Sequence, residues 1–359
     1  MSADYQQKTA KTYAHLWAWL LVCATFPLIW VGGLVTTTDS GMAFRDWITS
    51  DGTFFLFYDW LSSAGDKFIE HGHRLLGAAA GFLAIGLVVI TTLTESRGWV
   101  KKFSFLILAA VVLQGLLGGA RVVFDQRTLA MIHGCTGPLF FALCVAMVVF
   151  TSRWWRDAPA LAGEQSSQQQ PRKILRLAIV CACLAYAQAV VGAFVRHSPR
   201  MTGGHHMTEE WAATIFQLAV YFHVFLALLL VAHVLLLAWR CLRIRLQHVG
   251  GFCLLALVVI QLLLGVGTWL VKYGLPRWAT TWLGEMTFVN READTVRATI
   301  ITSHVAVGSL ILAVSVVVAL RLGRQLRGLG RQLWGRGRQH RVGHSQWFAT
   351  GALLSEVAQ

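Results

Sequence analysis

Four histidines stand at matched places in an otherwise apolar sequence: His73, His133, His223 and His304. Each falls in roughly the first three turns of an apolar run about 20 residues long, the length that crosses a hydrocarbon slab. An ionisable residue inside such a run is costly and marks function by default. One intramembrane histidine is more often a packing residue than a ligand, but four at similar depth favour ligation. Imidazole is a common metal ligand, and two facing histidines from separate helices supply the axial ligands of a haem iron. Chain order pairs His73 with His133 and His223 with His304. Gly77, Gly137, Ala227 and Gly308 each follow their histidine by four, which places small residues where a porphyrin needs room.

The two pairs differ in one respect. The first reads Glu70-His71-Gly72-His73-Arg74, which puts Glu70 on the face of His73 and within reach of Arg74 one turn on. The matching positions around His223 are Val220 and Val224. Glu70 and Arg74 read either as an ion pair at the membrane interface or as a carboxylate beside a bound substrate. In the second role the carboxylate accepts protons or stabilises developing positive charge. Arg74 and Arg121 suit haem propionates. The remaining histidines carry weaker signals. His71 faces away from His73, and His233 lies about 15 Å deeper than His223. His205 and His206 fall in an outer loop, and no Cys/His cluster has zinc-ligand spacing.

The elements that must position these residues are membrane helices. The 359 residues are 56% hydrophobic and 13% charged, with mean hydropathy +0.57, against about 25% charged in a soluble domain. Eight spans are expected, at roughly 16–36, 71–93, 103–121, 129–151, 174–195, 213–239, 250–271 and 298–320. They make an all-α membrane protein whose backbone bonds close within helices. The loop cations Arg97, Lys101, Lys102, Arg153, Arg156, Arg172, Lys173, Arg240, Arg243 and Arg245, with the arginine-rich end of the chain, all fall on one side. The positive-inside rule makes that side cytoplasmic and places both termini there, in a multi-pass protein of the cell inner membrane. The net charge of +14 belongs to those loops, where it touches anionic lipid, and argues against a nucleic-acid partner. All seven cysteines lie within or at the edges of spans and read as small apolar fillers.

The spans divide four and four around a Gln-rich link. The expected organisation is an N-terminal four-helix bundle over 1–155, a cytoplasmic linker over 156–173, a C-terminal four-helix bundle over 174–320 and a basic cytoplasmic tail over 321–359. Gln114-Gly115-x-x-Gly118-Gly119 in the third span resembles Gln261-x-x-x-Gly265-x-Gly267 in the seventh. Ile132-His133 with Gly137 resembles Ser303-His304 with Gly308. The halves thus read as a parallel repeat, two pseudo-symmetric bundles about an axis along the membrane normal. Outer loops 39–69 and 272–296 are rich in aromatics, which form either an interfacial belt or a lid over an outer site.

At these motifs the chain resembles the haem A synthase family. The Glu70-x-x-His73-Arg74 unit matches its signature, and the run from Gly32 to Trp47 (GGLVTTTDSGMAFRDW) looks like its first outer-loop motif. The glutamine–glycine run and the later histidines follow in order, so the resemblance covers about residues 16–320. It implies an oxidoreductase that oxidises the methyl group of haem O to the formyl group of haem A, for assembly of cytochrome oxidase. It casts His73 and His133 as the substrate-haem ligands, Glu70 as the catalytic carboxylate, and His223 and His304 as ligands of a cofactor haem b. Haem O and the enzyme supplying it become the expected partners, and a homo-oligomer is compatible with the sequence. Two departures stand out: Thr36 replaces an arginine of many members, and Phe44 replaces a cysteine whose partner is also missing. Two other classes of protein fit the histidines alone, a dihaem b electron-transfer protein and a haem carrier or assembly factor.

Overall fold

The computed structural model describes residues 3–158, 169–201, 209–243, 247–274 and 295–356. The helices are α1 (Ala3–Thr37), α2 (Gly65–Thr94), α3 (Gly98–Val123), α4 (Arg127–Thr151), the short α5 (Arg153–Asp157), α6 (Gln169–Met201), α7 (Glu209–Arg243), α8 (His248–Tyr273) and α9 (Thr295–Glu356). Eight of these, all but α5, contain segments long and apolar enough to cross a membrane. The chain is a multi-pass membrane protein, with the spans where the apolar runs placed them. Within the spans, threonines turn their hydroxyls onto carbonyls of the preceding turn. Thr25 donates to Leu21 O at 2.6 Å and Thr91 to Leu87 O at 2.7 Å, which satisfies these hydroxyls within their own helices.

Two apolar cores form. One joins Leu21 of α1, Leu87 of α2, Ile107 of α3 and Met147 of α4. The other joins Ile174 of α6, Leu237 of α7, Leu254 of α8 and Leu322 of α9. Each borrows a residue from beyond its own four helices: Ala313 of α9 enters the first core and Ala142 of α4 the second. Helices α4 and α9 are accordingly the central ones. In α4 67% of the most apolar window is buried and in α9 44%, against 17% in α3, α6 and α8, whose remaining faces are left for lipid. Near the end of α1 that leads into the α1–α2 loop, Arg196 of α6 reaches α1, donating to Gly33 O at 2.7 Å and to Thr37 Oγ1. Trp30 Nε1 of α1 donates to Ser303 Oγ of α9 at 3.4 Å. The basic tail continues α9 as helix beyond the span to Glu356.

The loop between α1 and α2 is compact. Thr49–Ser50 (β1) and Thr53–Phe54 (β2) form an antiparallel hairpin around Asp51-Gly52. Both turn residues have positive φ, 50° and 78°, the type I′ geometry that an Asp-Gly pair favours. That dipeptide was the available sequence signal for a hairpin in a loop otherwise read only as aromatic-rich. The facing loop 275–294, His205, His206 and the middle of the interdomain link lie outside the described residues.

Candidate functional site

The histidines meet in the pairs that chain order suggested. The rings of His73 on α2 and His133 on α4 have centroids 6.3 Å apart, and those of His223 on α7 and His304 on α9 are 6.5 Å apart. In all four the Nδ1 atom is buried without a hydrogen-bond partner.

A glycine on the preceding helix seats each ring. A Cβ added to Gly32 of α1 would lie 2.8 Å from His73 Cε1, and one on Gly118 of α3 would lie 3.3 Å from His133 Cε1. The corresponding distances are 3.0 Å for Gly192 of α6 against His223 and 3.1 Å for Gly265 of α8 against His304. Only glycine lets the imidazole approach this closely without displacement. The backbone at Leu28, Gln114 and Gln261, one turn before three of these glycines, lies beside the rings of His73, His133 and His304, outside strict hydrogen-bond geometry.

This seat is not among the expectations drawn from the sequence, which concern the small residues following each histidine. Its signal was present: Gln-x-x-x-Gly recurs at Gln114/Gly118, Gln188/Gly192 and Gln261/Gly265. The glutamines reach the histidine-bearing helices. Gln114 Nε2 donates to Thr136 Oγ1, and Gln188 Nε2 lies 3.1 Å from both His223 Nε2 and His223 O. In α1 the equivalent position is Leu28, so the His73 seat lacks this amide.

Glu70 is 3% exposed. Arg74 Nη2 donates to its Oε1 at 2.9 Å, and the Phe44 backbone N–H donates to its Oε2 at 3.1 Å. Arg74 Nη1 also donates to Asp46 O at 3.0 Å and Thr49 O at 2.7 Å. Arg121 of α3 donates to Gly41 O. Together these groups pin the α1–α2 loop over the first turns of α2 and the last turn of α3. Phe44, fully buried, packs edge-on against Tyr58 and His71 with centroids 5.2 and 5.9 Å away, and Arg74 lies 5.0 Å over its ring. Where the family resemblance leads one to expect a cysteine, the Phe44 side chain is thus an apolar plug. His71 turns away from His73, its Nδ1 lying 3.1 Å from Ser50 Oγ of the hairpin. Trp47 fills the groove at Gly119, where an added Cβ would collide with the indole.

The donor set fits haem. A metal–imidazole bond of about 2.0–2.1 Å plus roughly 1.1 Å from nitrogen to ring centre, taken on both sides of one iron, separates the ring centres by about 6.3 Å. Beyond Gly77 and Gly137 no heavy atom lies within 4 Å of an added Cβ, which leaves open space one turn from His73 and His133. Gln188 stands on His223 Nε2 and must turn aside for that nitrogen to ligate iron.

Eight membrane helices with two half-buried histidine pairs define a polytopic protein built around imidazole sites. Residues 62–281 match the family model of the COX15-CtaA cytochrome oxidase assembly proteins, and the chain belongs to that family. It is 26% identical over 264 residues to the haem A synthase of Exiguobacterium sibiricum, covering 68% of this chain and 80% of that one. It is 30% identical over 134 residues to the haem A synthase of Symbiobacterium thermophilum, covering 36% and 42%. Against that of Bacillus licheniformis it is 29% identical over 176 residues, covering 46% and 53%.

Proposed function

We propose that this chain is a haem A synthase, which oxidises the methyl group of haem O to a formyl group by two successive hydroxylations. The observation that carries this reading is the inequality of two otherwise alike sites. Each half holds an imidazole pair in glycine seats, but only the first has a buried carboxylate three residues from its histidine. In this reading His73 and His133 hold the substrate haem, and His223 and His304 hold a haem b that supplies one-electron chemistry when bound. The halves 1–155 and 174–320 act as pseudo-symmetric bundles, and the basic ends of the helices face the cytoplasm of a cell inner membrane.

The chain's own residues prepare the first site. Glycine seats orient the imidazoles, and Phe44, held under the loop by Glu70 and Arg74, keeps water from the outer side. Each oxygen of Glu70 accepts one N–H and keeps a second lone pair for a substrate donor or a proton. Arg74 and Arg121 place cations at the same end, where propionates of the substrate are neutralised.

Co-expression with a source of haem O, followed by analysis of the extracted haems, tests the reading. Haem A is the expected product. Recovery of haem b alone, with reversible redox behaviour and no conversion, would instead make the chain a dihaem electron-transfer protein.

A further inference from the structure

At the end of the helices opposite the Phe44 loop lies an open cleft of about 830 Å³ that neither histidine pair uses. Arg97 and Trp99 line it from the start of α3, Trp155 and Arg156 from α5, and Arg324 and Arg327 from α9. The arginines converge from sequence positions far apart, and no acid is among the described residues that line the cleft. Glu95 is held by Arg97, whose Nε and Nη2 donate to it at 2.9 and 2.5 Å. Asp157 neighbours Arg156 but does not line the cleft. Arg324 is fixed by donating to Trp155 O at 2.9 Å, a carbonyl that leaves its charge uncompensated. Burial, and then the charge of Arg97, hold the Arg156 guanidinium below its ordinary value, although Glu95 and Asp157 pull the other way.

Aromatics line the cleft beside the arginines: Arg97 lies 5.5 Å over the Trp99 ring and Arg327 6.0 Å over the Trp155 ring. Trp99 and Trp155 both pack edge-on against Phe150, with centroids 5.0 and 4.9 Å away. The cleft sits where α3 begins and α4 ends, the level at which headgroups meet acyl chains. Converging guanidiniums suit a phosphate, and indole walls at that depth suit the glycerol and first acyl carbons. A soluble phosphate would leave the aromatic wall unused.

We propose that this cleft binds the phosphate of an anionic phospholipid, which bridges the first four helices to α9. The site is independent of the haem chemistry. The test uses the full chain in phosphatidylcholine nanodiscs, with phosphatidylglycerol or inorganic phosphate added, and native mass spectrometry of retained lipid after mild detergent washing. Phosphatidylglycerol should be retained about tenfold over phosphatidylcholine, raise the unfolding temperature, and resist displacement by inorganic phosphate. The Arg156→Gln/Arg327→Gln double variant should lower that preference by about tenfold, since each basic group near a lipid surface contributes comparably, and leave the haem absorption bands unchanged. Equal retention of both lipids by the unaltered protein overturns the proposal, as does undiminished preference in the double variant. Displacement by inorganic phosphate would make the cleft a free-anion site and overturn its assignment to lipid.

Discussion

At the scale of single residues, the two oxygens of Glu70 do different work from the nitrogens of the histidines. Glu70 is tied to the loop through Phe44 and Arg74, so its replacement separates chemistry from ligation. Glu70→Ala should lower haem O conversion by at least about a hundredfold, the scale of losing a positioned acid–base group. Bound haem should remain near the unaltered level, as measured by absorbance of the purified protein. Loss of all haem would make Glu70 a structural residue. The glycine seats give a sharper test of ring orientation. Gly265→Ala brings a methyl to 3.1 Å from His304 Cε1 and Gly32→Ala to 2.8 Å from His73 Cε1. The ring must shift by tenths of an ångström in each case. The expected result is a changed low-spin EPR signature and reduction potential for the haem of that half, with the other half's signals unmoved. Unchanged spectra in both variants would mean the seats are mere packing.

At the scale of elements, the loop over α2 and α3 is held by charge. Arg74 links Glu70 to the hairpin carbonyls, with side chains only 12% and 4% exposed. Arg74→Met leaves Glu70 buried and unpaired, a change that costs about 3–5 kcal/mol in comparable buried pairs. Proteolysis and amide exchange across residues 39–64 should rise well before the helices melt. The hairpin has its own pH dependence. Slight burial raises the pKa of Asp46, but N–H donation from Gly52 at 2.8 Å and from Asp51 at 3.2 Å, with the Thr49 hydroxyl, outweighs it and holds the carboxyl below its usual 3.8. A depressed folded-state value means this contribution is present above the unfolded pKa and fades as pH falls through the folded one. Exchange at residues 49–54 should therefore quicken on acidification below about pH 4. Asp46→Asn should flatten that response.

At the scale of the whole molecule, α4 and α9 each serve one core and lend a residue to the other, and each carries one histidine of a pair. The pairs themselves share no residue. His73→Ala/His133→Ala should therefore remove roughly half of the haem absorbance and leave the His223–His304 spectrum intact, and the reciprocal double variant should do the converse. Loss of both signals from either variant would show the halves to be energetically coupled.

Much of this protein is written in local sequence. Helix number and placement follow from apolar runs long enough to span a bilayer, and the reach of Glu70 to Arg74 follows from 3.6 residues per turn. Both depend on neighbours within a few residues, so both were legible. The glycine seats were half legible. Their recurrence could be counted, but which ring each glycine meets depends on two helices approaching closely, a matter of packing between residues as far apart in the chain as Gly32 and His73. The Asp51-Gly52 turn carried a sequence signal, whereas the anchoring of Phe44 under Arg74 did not. The basic cleft was invisible to sequence as a site, because Arg97, Arg156 and Arg327 read only as topology signals until α9 returned beside α3 and α5. Segment identity is set by short-range periodicity. The sites are set by which faces of those segments turn toward one another, and that is decided only when the whole chain packs.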